Sequence, residues 1–180
     1  MHRNSLKIMG RLLDRYAPRS GLCIDVGSQD VNGSYRGITQ GRGLQYLGID
    51  IAPAKNVDLV LPETADPGSL ARWRSAAEAR SPELIISGQC LEHTRYPWEW
   101  MSHVVALGSA PARTTFIVIA PAAWPLHRYP VDCWRILPDG MQALMEWAGL
   151  EVLEVGMDDP TGRRTHLDCW GVGRLTSTRS

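Results

Sequence analysis

Apolar positions along the chain follow two periods, and the period decides each element. Met9, Leu12, Leu13 and Tyr16 recur at helical spacing ahead of Pro18, so the pattern predicts a helix over Ser5–Ala17. Short apolar runs bounded by turn residues then recur at Leu22–Val26, Tyr46–Asp50, Val57–Leu61, Glu83–Gly88 and Thr114–Ala120. Runs of that length read as buried strands, and TTFIVIA at Thr114–Ala120 is the clearest of them. Helices are expected between them: Gly33–Gln40, Pro67–Arg80 with Leu70, Trp73 and Ala77 inward, and a third from Pro97–Trp98 to near Gly108. A fourth opens at Pro138–Asp139 and stops at Gly149, with Met141, Leu144, Met145 and Ala148 inward. Leu150–Val155 and Leu167–Leu175 close the chain as two strands joined by a polar loop, Gly156–Arg164, and Thr176–Ser180 is expected to fray. Strands alternating with helices predict an α/β chain.

The first strand carries an acid, Asp25, and runs into a Gly-Ser-Asp-Asn cluster, so Leu22–Ser34 reads as a buried strand entering a tight loop. Gly27 sits where the chain must turn and let a ligand approach the backbone. In an open α/β sheet ligands bind beyond the carboxyl ends of the strands, which makes this loop the candidate cradle. A dinucleotide fingerprint counted from Gly27 would need glycines where Gln29 and Asn32 stand, and Asp30 would set a negative charge beside the phosphates. No GxxxxGK[ST] occurs either. The loop therefore suits a nucleoside without phosphate. Asp50, closing the second strand, is placed to accept both ribose hydroxyls. Amides at the start of the Gly33–Gln40 helix are expected to point at the cradle and to suit a carboxylate.

Asp25-Val-Gly27, Gly48-Ile-Asp50 and Ile86-Ser-Gly-Gln-Cys-Leu-Glu-His93 resemble, in order and spacing, the motifs of class I S-adenosylmethionine-dependent methyltransferases. The similarity runs from about Leu22 to Val155, and Gln29 replaces the usual second glycine of the loop. The resemblance implies a three-layer α/β/α Rossmann-like sandwich with a mostly parallel seven-stranded sheet and an antiparallel last strand. It also implies S-adenosyl-L-methionine as cofactor. The residues it assigns to that cofactor are Asp25, Gly27, Ser28, Gln29, Asp50, Ile51, Glu63, Gln89 and Leu91. Glu63 would accept from the adenine amine, Gln89 would lie beside the adenosine, and Leu91 would pack on the adenine. A solvated loop carboxylate explains Glu63 equally.

Pro121–Pro138 is the least ordinary segment. It gathers Trp124, His127, Arg128, Tyr129, Asp132, Trp134 and Arg135 among prolines at 121, 125, 130 and 138. Prolines stiffen a loop that would otherwise lose more entropy on ordering, and loops over the carboxyl edge of a sheet carry function. The segment is read as the acceptor wall, with Trp124, Arg128, Tyr129, Trp134 and Arg135 as substrate-binding candidates. Methyl transfer to an O or N atom that bears a proton calls for a base, and histidine is the natural choice near neutral pH. His127 is the first candidate and His93 the second, with Asp132 to orient either. An Arg–Asp pair within the loop is the structural alternative for Asp132 and Arg135. Glu92 and His93 are otherwise expected to cap the Pro97 helix or to bond neighbouring loops.

Composition narrows the partners. In 180 residues, 19 Lys and Arg balance 19 Asp and Glu, which leaves no electrostatic footprint for nucleic acid. The length fits one domain over residues 1–180. No apolar run approaches a membrane span and Met1-His-Arg-Asn-Ser lacks a signal-peptide core, so the expectation is a cytoplasmic protein without membrane contact. Four scattered cysteines form no CxxC pair and read as free thiols; no metal site is expected. The acceptor is expected to be a small metabolite or a sugar-like molecule, with a homodimer left open. Two other readings stand beside this one: a non-catalytic methyltransferase-like binding or partner subunit, and an NAD(P)-dependent Rossmann enzyme, which Gln29 and Asp30 disfavour.

Overall fold

A computed structural model describes residues 2–78, 80–109, 113–159 and 165–175. The expected loop 156–164 and tail 176–180 fall partly and wholly outside them. Seven strands form one sheet: β1 (Leu22–Val26), β2 (Gln45–Asp50), β3 (Leu59–Val60), β4 (Leu84–Gly88), β5 (Thr115–Ala123), β6 (Leu150–Met157) and β7 (Leu167–Leu175). Their order is β3-β2-β1-β4-β5-β7-β6, and β7 runs antiparallel to both of its neighbours. The other pairings are parallel.

Alternation along the central strands builds two cores, because successive side chains leave opposite faces. Ile24, Ile85, Phe116 and Val118 pack on one face against Trp73 and Ala77 of α3 (Ser69–Glu78). The same core takes in Trp100, Met101 and Val104 of α4 (Pro97–Ala106) and Met141 and Met145 of α5 (Pro138–Trp147). Cys23, Leu84, Ile86, Ile117 and Ile119 face the other way, onto Ile8, Met9, Leu12 and Leu13 of α1 (Arg3–Tyr16). Tyr35 and Ile38, at and in α2 (Arg36–Gln40), complete that layer. The three-layer arrangement matches the expectation. Pro97 and Pro138 each stand in the first turn of their helices, where a missing N–H costs nothing. Gly149, at φ 85°, stops α5 as expected.

Several boundaries move. The helix after the cradle starts at Arg36, not Gly33, because Asp30 accepts the Gly33 amide and holds 30–33 as a turn. At five residues it has too short a dipole to serve as the expected carboxylate site. The third strand shrinks to Leu59–Val60, the two residues that pair with Ile49 and Asp50, while Asp58 just before it meets Gly48 through both its main-chain amide and its carboxylate. β5 runs three residues past Ala120, through Pro121, by pairing Ala123 with Leu167 across a register shift. A proline is tolerated there because the shift already interrupts the ladder. No helix among the described residues is long and apolar enough to cross a membrane.

Candidate functional site

The carboxyl ends of β1, β2 and β4 open on a cavity of about 730 Å³, roofed by Trp124 and by residues 127–131. Gly27 opens the loop after β1 at φ 78°, and a Cβ there would meet Cys90 Sγ at 2.6 Å. The glycine thus lets the loop pass the β4 turn as well as face the cavity. Beside it, Asp50 accepts the Gln29 amide at 3.0 Å through one carboxylate oxygen and the Ile51 amide at 2.8 Å through the other. Each oxygen keeps lone-pair capacity for a ligand hydroxyl.

The β4 turn supplies the opposite wall. Gln89 holds φ 59°, its amide donates to Ile119 O, and its side chain donates to buried Asp168 at 2.9 Å. Leu91–His93 form one 3₁₀ turn, which drives Leu91 and Glu92 inward and leaves His93 half-buried at the cavity. Hydrogen bonds tie the roof down, among them Cys133 N to Glu92 O at 2.8 Å, Trp134 Nε1 to Thr94 O at 2.8 Å, and Ile136 N to Pro121 O at 2.9 Å. Arg135 grips Asp132 through both terminal nitrogens, and Asp132 also accepts the His127 amide at 2.8 Å. The Arg135 fork holds the Asp132 carboxyl well below the usual carboxylate range.

Three groups converge under that roof. The His93 Nε2 lies 3.6 Å, and the His127 Nε2 3.7 Å, from Glu92 Oε1. Nδ1 of His93 is 2.6 Å from Val131 O, and Nδ1 of His127 is 3.0 Å from Pro125 O. The carbonyl partners assign the proton to Nδ1 in both rings, so each Nε2 presents a lone pair. Burial lowers the His93 pKa, which favours the neutral ring. Neither Glu92 oxygen has a hydrogen-bond partner, and burial pushes this carboxyl up to about 8.

The cavity therefore receives Gly27, Gln29, Asp50, Ile51, Glu63, Gln89, His93, Trp124, His127, Arg128 and Tyr129 from the candidate set. The rest are placed elsewhere. Asp25 is buried under the loop, where Tyr46 donates its hydroxyl to it, and burial raises its pKa to about 7. Ser28 donates to Asn56 O at 3.2 Å and is buried. Leu91 is core. Asp132 and Arg135 form the loop's own ion pair, and Trp134 anchors the roof to Thr94. Glu92 caps nothing: α4 carries no side-chain cap at its start, and its first turn is served by Pro97. Asp30 turns from the cavity to Lys55 at 2.6 Å and to the Gly33 amide, so its charge does not confront a phosphate as expected. Of the four cysteines, all free, only Cys23 and Cys169 are buried; Cys133 is exposed.

His2 enters the cavity lining without any signal in the sequence, stacked on Trp124 with ring centroids 4.4 Å apart. It precedes the first periodic residue, and only the packing of α1 on the sheet brings it there. Thr94, Arg95 and Tyr96 were equally silent, lying between a strand and a helix in no periodic pattern.

No protein-family model matches the chain, and no curated protein does. Solved structures match over nearly its whole length. The Burkholderia thailandensis 1,6-didemethyltoxoflavin-N1-methyltransferase, crystallised with 1,6-didemethyltoxoflavin and S-adenosylhomocysteine, is similar at TM-score 0.64 and 13% identity over 97% of this chain and 77% of its own. A putative methyltransferase from Haloferax volcanii, in complex with the Trm112 methyltransferase activator, is similar at 0.66 and 13% over 96% and 91%. The [4+2]-cyclase SpnF is similar at 0.61 and 10% over 96% and 82%. At such identities the likeness establishes the fold, that of the class I methyltransferases, and a cyclase among the neighbours shows why the reaction must be argued from the site.

Proposed function

We propose that this chain binds S-adenosyl-L-methionine and moves its methyl group to an oxygen or nitrogen atom of a small-molecule acceptor. The observation that carries the reading is Asp50: a carboxylate at the end of β2, pinned by two backbone amides and facing a cavity of about 730 Å³. Such a carboxylate fits the two hydroxyls of a ribose, and Glu63 at the same rim fits the amine of an adenine. The sulfonium supplies an electrophilic methyl when bound; the chain's own residues align, enclose and deprotonate. Trp124, Arg128 and Tyr129 line the same cavity and serve as the acceptor wall. The His127 Nε2, with its lone pair inward, accepts the acceptor's proton, and His93 is the alternative base.

The test is calorimetry with S-adenosylhomocysteine, NAD and NADP. The reading expects the first alone to bind, and loss of that binding in Asp50→Ala. Tight binding of either dinucleotide, or unchanged affinity in the variant, overturns it. A second reading, a chain that works with a small protein partner, draws support from the Haloferax neighbour, a methyltransferase seen with an activator. Cofactor binding with no turnover across a broad acceptor panel until a partner is added would favour it.

A further inference from the structure

We propose that Glu92, His93 and His127 form a binding site for a divalent transition-metal cation, open toward the cavity. Among the described residues this is a group of carboxylate and imidazole donors whose ligating atoms all lie within 4.8 Å of one another. Two independent features point to a ligand there. Both oxygens of Glu92 are buried and without a hydrogen-bond partner, and Oε1 lies within 4 Å of two imidazole lone pairs. A fully buried acceptor pair left bare costs folding free energy, so something is expected to meet it. Each histidine also donates its Nδ1 proton to a main-chain carbonyl, Val131 O or Pro125 O. That second contact is how metal-ligating histidines are held, with tautomer and ring orientation fixed from behind.

Measured from Glu92, the spacing fits with small closure. Bonds of about 2.0–2.2 Å to nitrogen and carboxylate oxygen put tetrahedral donors about 3.4 Å apart, against 3.6 and 3.7 Å between Glu92 Oε1 and the two rings. Two imidazoles and a carboxylate suit zinc, iron or manganese better than calcium or magnesium, which prefer all-oxygen cages. Three protein donors leave coordination positions open. Because His93 and His127 both line the cavity, those positions face its interior. On the methyltransferase reading, and only on it, they would take oxygen donors of the acceptor, and the cation would then do the work assigned above to a free His127. The cation site itself does not depend on that reading.

The experiment is titration of chelator-treated protein with Zn²⁺ and with Mn²⁺ by calorimetry, and with Co²⁺ by visible absorption. One cation per chain is expected, with a ligand-field band for Co²⁺. Glu92→Gln and His127→Asn should each weaken binding by at least about tenfold, as removal of a metal ligand does. Cys133→Ser should leave binding unchanged, which sets aside the exposed thiol. His127 lies on a partly exposed loop, so His127→Asn gives a readout even if Glu92→Gln fails to fold. No binding by the parent protein at millimolar cation, or equal binding by His127→Asn, or loss of binding in Cys133→Ser, overturns the site. S-adenosylhomocysteine is titrated separately into cation-free and cation-loaded protein. A protein that binds the cation but never S-adenosylhomocysteine sinks the methyltransferase reading alone; one that binds S-adenosylhomocysteine but no cation sinks the metal site alone.

Discussion

Arg135 holds Asp132 with Nη1 at 2.6 Å from one carboxylate oxygen and Nη2 at 2.8 Å from the other, and Arg135 also donates to Trp124 O and Pro125 O of the loop that roofs the cavity. Asp132 in turn accepts the main-chain amide of His127, so the ion pair sets where that ring lies. Arg135→Ala leaves the carboxylate, whose side chain is 1% exposed, without its fork. The expected loss is about 2 kcal/mol, that of hydrogen bonds to a charged group in a partly exposed pair. Arg135→Lys should recover part of it, since an ammonium keeps the charge and not the two-donor geometry. Urea midpoints of the three proteins check the ranking.

Asp50→Ala should weaken S-adenosylhomocysteine at least tenfold, equal to about 1.4 kcal/mol, because both ribose hydroxyls lose their acceptor. Asp50→Asn keeps one acceptor oxygen and should fall between. The Gln29 amide loses its partner in the alanine variant, so stability is measured alongside affinity. Equal affinities across the series would remove Asp50 from the site.

Gly27→Ala should be destabilised by about 2 kcal/mol or more. A side chain at φ 78° costs roughly 1–2 kcal/mol, and its Cβ would stand 2.6 Å from Cys90 Sγ and 2.7 Å from Cys90 Cβ. Cys90→Ala should rescue little, because the second contact survives, whereas Cys90→Gly removes both. Thermal melting of the single and double variants separates the clash from the backbone strain.

Asp25 makes stability depend on pH in a direction opposite to an ordinary salt-bridged acid. Burial raises its carboxyl from 3.8 to about 7 in the folded chain. Between those values the folded state binds the proton more tightly than the unfolded one, so the contribution of Asp25 to stability is fullest below about pH 4, falls as pH rises to 7, and is flat above. The loss is on the order of 4 kcal/mol across the window. Asp25→Asn keeps an oxygen for Tyr46 and carries no titrating proton, so its stability should fall less between pH 5 and pH 8. Parallel profiles for the two proteins would refute the assignment.

The elements of the sheet were legible because burial writes itself locally. Cys23 against Ile24, Leu84 against Ile85 and Ile117 against Phe116 face opposite cores, and the apolar runs that hold them stand out in one dimension. Boundaries slipped where a side chain took a main-chain amide as its partner, as Asp30 does in the turn before α2. Asp50 and Asp25 look alike in sequence, each an acid at or near the end of an apolar run. Tyr46, one strand over, claims Asp25, and the β2 edge leaves Asp50 facing the cavity.

What the chain determined by itself was the set of elements, their layering as α/β, and the acid and glycine at the cradle, since each depends on periodicity or on a turn within a few residues. What only tertiary structure decided was which charged groups meet. Glu92 reads locally as a cap, and becomes the centre of a three-residue cluster because β4 pairs in parallel with β5, setting the turn after one strand beside the loop after the other. Contacts of that kind depend on the path of the whole chain, and no local pattern of burial encodes them.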